Sequence, residues 1–238
     1  MKTYCISDIH GHLDNLIRFT NTLEEDDRVY VLGDVIDKGP ESIKCLEHIM
    51  NDKRFTMLLG NHEYMMFNVL SLDKKSYEYQ DAYDLWINWN KGQSTLYEYE
   101  SLSKDKQKEI YDYIKNLPLN IPNVKVKDKT FYLVHSCPRD NISVTMADVK
   151  YNKSIIASYV WDRVVIDDTT DVGDINVIAG HTPTQEYVGL YCKNISPAYN
   201  HNDINKASYI DIDGGLATSL KNAKLIALCL DDLSYNLY

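Results

Sequence analysis

An α/β fold built on a largely parallel sheet is predicted, and three features of the chain point to it. Short, continuously apolar runs, as expected of strands buried on both faces, alternate with stretches whose apolar residues recur at helical spacing. Such strand–helix alternation gives parallel pairing. Each early run also ends in a cluster of Asp, His, Asn and Gly, and in an open parallel sheet ligands bind outside the strand carboxyl ends. Finally, 238 residues with 44% hydrophobic and 25% charged side chains suffice for one substantial core without disulfide staples.

Taken in order, Tyr4-Cys5-Ile6 leads into Ser7-Asp8-Ile9-His10-Gly11, and Val29-Tyr30-Val31-Leu32 into Gly33-Asp34. Phe55-Thr56-Met57-Leu58-Leu59 leads into Gly60-Asn61-His62-Glu63. Between these strands, Leu13, Leu16, Ile17 and Leu23 mark one helix, and Ile43, Leu46, Ile49 and Met50 another. Glu63 to Leu117 reads as a helical insert rich in Tyr and Lys, closed by Pro118 and Pro122. Strands resume at Thr130 to Val134 before His135, and at Ile175 to Ala179 before Gly180-His181. Ala207 to Asp213 and Lys224 to Asp231 read as two more, around Gly214-Gly215. The acidic stretch from Asp167 to Asp174 is expected to be a solvated loop. Residues 1–238 are expected to form a single domain, with the insert at about 63–117.

Composition excludes several classes. Thirty-five acids against twenty-five bases give a net charge of −10, which argues against a general nucleic-acid backbone binder. The longest apolar stretch, Leu225 to Leu230, has six residues and cannot span a bilayer. Met1-Lys2-Thr3-Tyr4-Cys5 lacks the apolar stretch of a secretory signal, so a cytoplasmic protein without a membrane partner is expected. Cys5, Cys45, Cys137, Cys192 and Cys229 are odd in number and show no CxxC spacing. Reduced, mostly buried thiols are expected.

Asp8, His10, Asp34, Asn61, His135 and His181 stand at strand ends, and none offers a thiolate. Mixed oxygen and imidazole donors suit Mn²⁺, Fe or Zn²⁺. Two such metals sharing a carboxylate, about 3.5–4 Å apart, form a hydrolytic site able to clamp phosphate. Asp37 and His62 add a carboxylate–imidazole pair, and Arg163 adds a guanidinium matched to phosphate.

These residues lie in recognisable motifs. Ser7-Asp8-Ile9-His10-Gly11, Gly33-Asp34-Val35-Ile36-Asp37-Lys38-Gly39 and Gly60-Asn61-His62-Glu63 resemble the N-terminal signatures of the calcineurin-like metallophosphoesterases. Within that superfamily they are similar to GDxHG, GDxxDRG and GNHE of the phosphoprotein phosphatase branch. Leu133-Val134-His135-Ser136 and Ala179-Gly180-His181-Thr182 are similar to its two later histidine motifs. Trp89 to Leu96, Trp161-Asp162-Arg163 and Ile210 to Gly215 are similar to bacterial and phage members. The resemblance runs from about Thr3 to Leu230.

It implies two mixed sheets packed face to face with helices outside, and two divalent metal ions, Mn²⁺ first, with Fe or Zn²⁺ as alternatives. Asp8 and His10 would bind the first metal, Asp34 would bridge, and Asn61, His135 and His181 would complete the second. A hydroxide between the metals would attack phosphorus in line. His62 would protonate the leaving oxygen, oriented and kept charged by Asp37. Arg163 and Lys38 would hold the phosphoryl oxygens. The implied reaction is hydrolysis of phosphate monoesters, with phosphoserine and phosphothreonine proteins as the leading substrates. The alternative is symmetric hydrolysis of Ap4A-type dinucleoside polyphosphates by a related branch; nucleic-acid ends are disfavoured by the charge.

Three positions depart from the pattern. Lys38 replaces the usual Arg and supplies charge without the bidentate fork. Leu59 stands where relatives often carry Arg, and Ser136 follows His135 where Gly is usual. His12, His48 and His201 are expected outside the ligand set, and Glu63 is expected to support the helix start. Trp86, Trp89 and the tyrosines from Tyr77 to Tyr113 are expected to pack helices.

Overall fold

Alternation along each strand divides the core into layers. The computed structural model describes residues 1–166, 172, 175–186, 196–201, 203–218 and 222–238. Its strands are β1 (Thr3–Ile6), β2 (Arg28–Val31), β3 (Phe55–Met57), β4 (Asn120–Val126), β5 (Lys129–Val134), β6 (Asn176–Ala179), β7 (Ala198–Tyr199), β8 (Tyr209–Asp211), β9 (Ile226–Cys229) and β10 (Tyr235–Leu237). They form two five-stranded sheets, β10-β9-β1-β2-β3 and β4-β5-β6-β8-β7. In the first, β1, β2 and β3 are parallel, β9 pairs antiparallel with β1, and β10 pairs antiparallel with β9. In the second, β5, β6 and β8 are parallel, while β4 and β7 pair antiparallel at the two edges. Cys5, Leu32, Leu228, Phe131, Leu133, Ile178 and Ile210, drawn from both sheets, share one apolar layer. The intervening residues Ile6, Val31, Tyr132, Val134 and Val177 belong to the larger core beneath the helices, as a period of two requires.

The helices are α1 (Leu13–Thr20), α2 (Ser42–Asn51), α3 (Asn61–Ser71), α4 (Tyr77–Tyr83), α5 (Gln93–Glu100), α6 (Lys104–Lys115) and α7 (Lys153–Val160). α2 buries Ile43, Cys45, Leu46 and Ile49, the stripe its helical spacing predicts, whereas α1 buries Leu16 and Phe19 and leaves Ile17 exposed, with Leu23 beyond its end. The insert is helical as expected, but a π-helical turn at Asp84–Trp89 separates α4 from α5. Trp86 is buried there, whereas Trp89, expected to pack, is 79% exposed.

Some elements were not anticipated. Pro122 lies inside β4, which is tolerated because β4 is an edge strand whose register shifts between Ile121 and Val124. β10 is exposed throughout and carries no apolar alternation to read. α7 and β7 also escaped. Cys192 and the stretch from Asp167 to Asp174, apart from Val172, lie outside the described residues. Cys5, Cys45 and Cys229 are buried free thiols and Cys137 is a partly buried one. Among the described residues, no helix is long and apolar enough to cross a membrane.

Candidate functional site

The loops leaving β1, β2 and β6, together with the start of α3, converge at one end of the two sheets. Their backbone is forced: Asp8, His10, Asp34, Asp37, Lys38 and His181 hold φ between 47° and 71°, a region that side-chain-bearing residues rarely occupy and that clusters at functional sites. Two glycines permit the approach. A Cβ on Gly60 would strike the Asp34 carboxylate, and one on Gly180 would strike Ser7 and the Asp8 carboxylate.

The six strand-end residues are brought together. His10 Nδ1 donates to the Ile36 carbonyl at 3.0 Å, and His135 Nδ1 to the Leu32 carbonyl at 2.7 Å. Each neutral ring therefore presents an Nε2 lone pair. His10 Nε2 faces Asp8 Oδ1 at 3.8 Å and Asp34 Oδ2 at 3.7 Å. His135 Nε2 faces Asn61 Oδ1 at 3.0 Å and Asp34 Oδ1 at 3.5 Å. His181 Nε2 is buried without a hydrogen-bond partner among the described residues, and its backbone N–H donates to Asp8 Oδ2 at 3.0 Å. Acceptors thus face acceptors across short gaps. Asp34 belongs to two groups of potential ligands, one with His10 and His62, the other with His135 and His181.

Burial shapes the charges. Asp8 is pushed up to about 7 by desolvation, with Ser7 and the His181 amide pulling back. Asp34 is raised well above the usual carboxylate range by burial, then by Asp8 and Glu63. Burial also lowers His10, His135 and His181. The site is short of positive charge, its imidazoles neutral and its carboxylates crowded. An oxygen–imidazole donor set in that condition fits divalent cations.

Beside it, His62 Nδ1 meets Asp37 Oδ2 at 2.6 Å. Burial works against the imidazolium, holding His62 down to about 3, with Lys38 adding to it. It also raises Asp37 to about 7, against hydroxyl Thr95 and indole Trp86. A cavity of about 200 Å³ opens above these groups, lined by His10, Asp34, Asn61, His62 and His181, with Lys38, Asn90, Trp161, Arg163 and Glu186 around them. Lys38 is half-buried, and Arg163 Nη1 donates to Thr182 Oγ1 at 3.1 Å and meets Glu186 Oε2 at 3.4 Å. His12, His48 and His201 bond instead to Leu216, Thr20 and Asp203.

Three contributors were not read from the sequence. Asp213, 1% exposed, lines the cavity; its signal was the short spacing Asp211-Ile212-Asp213-Gly214-Gly215. Glu63 does more than start α3, because its carboxylate also accepts the backbone N–H groups of Asp34, Val35 and Ile36. Trp86 donates its indole N–H to Asp37 Oδ2 at 2.8 Å, a contact that no local spacing announces.

Two curated relatives are each named bis(5'-nucleosyl)-tetraphosphatase, symmetrical. One, from Buchnera aphidicola subsp. Acyrthosiphon pisum, is 32% identical over 109 residues, covering 40% of this chain and 39% of the relative. The other, from Actinobacillus pleuropneumoniae, is 24% identical over 164 residues, 66% of this chain and 54% of the relative. The chain thus spans about two fifths to half the length of these relatives. In fold it is similar to a metallophosphoesterase from Sphaerobacter thermophilus, with TM-score 0.56, 17% identity and coverage of 100% of this chain and 86% of the other. A cold-active protein-tyrosine phosphatase of a psychrophilic Shewanella gives TM-score 0.53 and 16% identity over 99% and 80% of the two chains. The model of the calcineurin-like phosphoesterase family matches residues 1–206, a span that holds the strand-end loops and both histidine motifs, and the chain belongs to that family.

Proposed function

We propose that this chain hydrolyses phosphate esters at a dinuclear metal centre held by Asp8, His10, Asp34, Asn61, His135 and His181. The observation that supports it is the set of unprotonated imidazole nitrogens facing carboxylate and amide oxygens, centred on Asp34. Bound divalent cations, Mn²⁺ first for these donors, supply Lewis-acid polarisation of the phosphoryl group and a more acidic attacking water. Arg163 and Lys38 grip the phosphoryl oxygens as negative charge grows on them. An incoming phosphoryl dianion favours the imidazolium form of His62. Held through Nδ1 by Asp37, His62 gives its Nε2 proton to the leaving oxygen.

For the substrate, the reading is a dinucleoside tetraphosphate cleaved symmetrically: water adds to one inner phosphorus, the bond from that phosphorus to the central bridging oxygen breaks, and one nucleoside diphosphate leaves with that oxygen while the other keeps the oxygen of the water. It takes precedence over the phosphoprotein expected from the motifs. Its support is the name borne by the matching relatives and cationic charge beyond that needed for one phosphoryl group. Lys91, exposed beside cavity-lining Asn90, is close enough for its charge to act on Lys38.

A phosphomonoester on protein Ser or Thr is the second reading, favoured by the His62–Asp37 pair. An alkoxide needs a proton to leave, whereas a terminal phosphate with a second ionisation at about 6 leaves largely without one. A panel assay on metal-reconstituted protein separates the two. It comprises 4-nitrophenyl phosphate, phosphoserine and phosphothreonine peptides, and diadenosine tetraphosphate, each with and without chelator. The highest kcat/KM is expected for diadenosine tetraphosphate, with ADP as sole product; faster peptide turnover favours the second reading. Undiminished turnover by metal-stripped protein would overturn the metal centre.

A further inference from the structure

Asp37 Oδ2 carries two partners, His62 Nδ1 at 2.6 Å and Trp86 Nε1 at 2.8 Å. The second comes from the helical insert, and from an unusual part of it. Trp86 sits in the π-helical turn Asp84–Trp89; π turns are rare and are found frequently at functional sites. Gly92 then closes on the indole: its N–H donates to the Trp86 carbonyl at 3.0 Å, and a Cβ there would collide with Trp86 Nε1, Cδ1 and Cε2. The widened turn and the missing side chain together seat one indole N–H against one buried carboxylate oxygen.

We propose that Trp86 is a positioning residue for leaving-group protonation, through which the helical insert holds Asp37 and thereby orients His62. This inference rests on the reading of His62 as the acid. An indole N–H can only donate, so it fixes the carboxylate's rotation and leaves Oδ2 aimed at the imidazole. Trp86 is 0% exposed and does not line the cavity, so it acts through Asp37 alone. Plain core packing would explain the burial, but not a polar edge delivered to the carboxylate beneath the acid.

The test uses the full-length, metal-loaded chain with Trp86→Phe and Gly92→Ala. The backbone at Gly92, φ −75° and ψ −1°, accepts alanine, so that variant displaces the indole without removing its N–H. Phenyl phosphate has a basic leaving oxygen and 4-nitrophenyl phosphate does not. General acids typically supply about 10²–10⁴-fold, so a misaimed one should cost roughly tenfold or more in kcat on phenyl phosphate. KM should stay within about twofold, and the loss on 4-nitrophenyl phosphate should be under about threefold. Equal losses on both esters in folded Trp86→Phe and Gly92→Ala would overturn the inference. His62→Asn is run in parallel. Leaving-group dependence there but not in Trp86→Phe overturns the role of Trp86 alone; its absence in both overturns the reading of His62 as well. An independent readout is the indole ¹H–¹⁵N resonance of Trp86, assigned by its loss in Trp86→Phe. It is expected to shift in Asp37→Asn, and an unmoved resonance contradicts the contact.

Discussion

Lys38 and Arg163 divide the grip on a phosphoryl group unequally. Lys38 is half-buried in the cavity wall in a left-handed conformation, φ 68°, where desolvation lowers its pKa and Asp37 raises it. It offers one point charge. Arg163 offers a fork, held in place by Thr182 and Glu186. Restoring the fork at the first position, Lys38→Arg, is expected to lower KM about threefold with kcat kept, while Arg163→Lys is expected to raise KM about tenfold. Steady-state kinetics at saturating metal check both, and an unchanged KM in Lys38→Ala would put that side chain out of contact with substrate. At this scale the candidate ligands were legible, because metal chemistry demands particular residue types at short spacing behind apolar runs. Trp86 was not, since its contact with Asp37 spans 49 residues and depends on a π turn.

Among the elements, the junction of α3 with the loop after β2 is the most exacting. Glu63 is fully buried, and its carboxylate accepts N–H groups from Gly60 at 3.1 Å, Asp34 at 2.9 Å, Val35 at 2.8 Å and Ile36 at 3.2 Å. One side chain thereby ties the helix start to the loop bearing Asp34 and Asp37. Each buried N–H stranded without an acceptor costs about 1–3 kcal/mol. Glu63→Ala is therefore expected to destabilise the cation-free protein by about 3 kcal/mol or more in urea unfolding. A loss under about 1 kcal/mol would mean that water or relaxation replaces the bonds. The sequence showed the start of α3 from Gly60-Asn61-His62-Glu63, but the reach to the loop is tertiary. Likewise β1, β2, β3, β5 and β6 were legible as apolar runs. Edge strands β4 and β10 were not, because half-exposed edges need neither continuous apolarity nor freedom from proline.

Over the whole molecule, the two-sheet layering follows from alternation along strands, while the pairing of sheets came from motif resemblance and not from periodicity. The same packing buries carboxylates. Asp8 and Glu63 are pushed up to about 7 by desolvation, and Asp34 and Asp213 are raised well above the ordinary range by burial and then by Asp8. Unfolded carboxyls ionise near pH 4, so between about pH 4 and 7 the folded, cation-free chain holds protons that the unfolded chain has released. This contribution to stability therefore falls as pH rises through that window. Divalent cations held by Asp8 and Asp34 would replace the protons on those two carboxylates, and at low pH they must compete with them. The Tm gained on adding Mn²⁺ is expected to be larger at pH 8 than at pH 6 by thermal unfolding. An equal gain at both would disconnect these carboxylates from the metal.

Counting bound metal tests the dinuclear centre most directly. Metal-stripped protein, dialysed against Mn²⁺ at pH 8 and measured by elemental analysis, is expected to hold two ions per chain; one ion or none at saturation would contradict it.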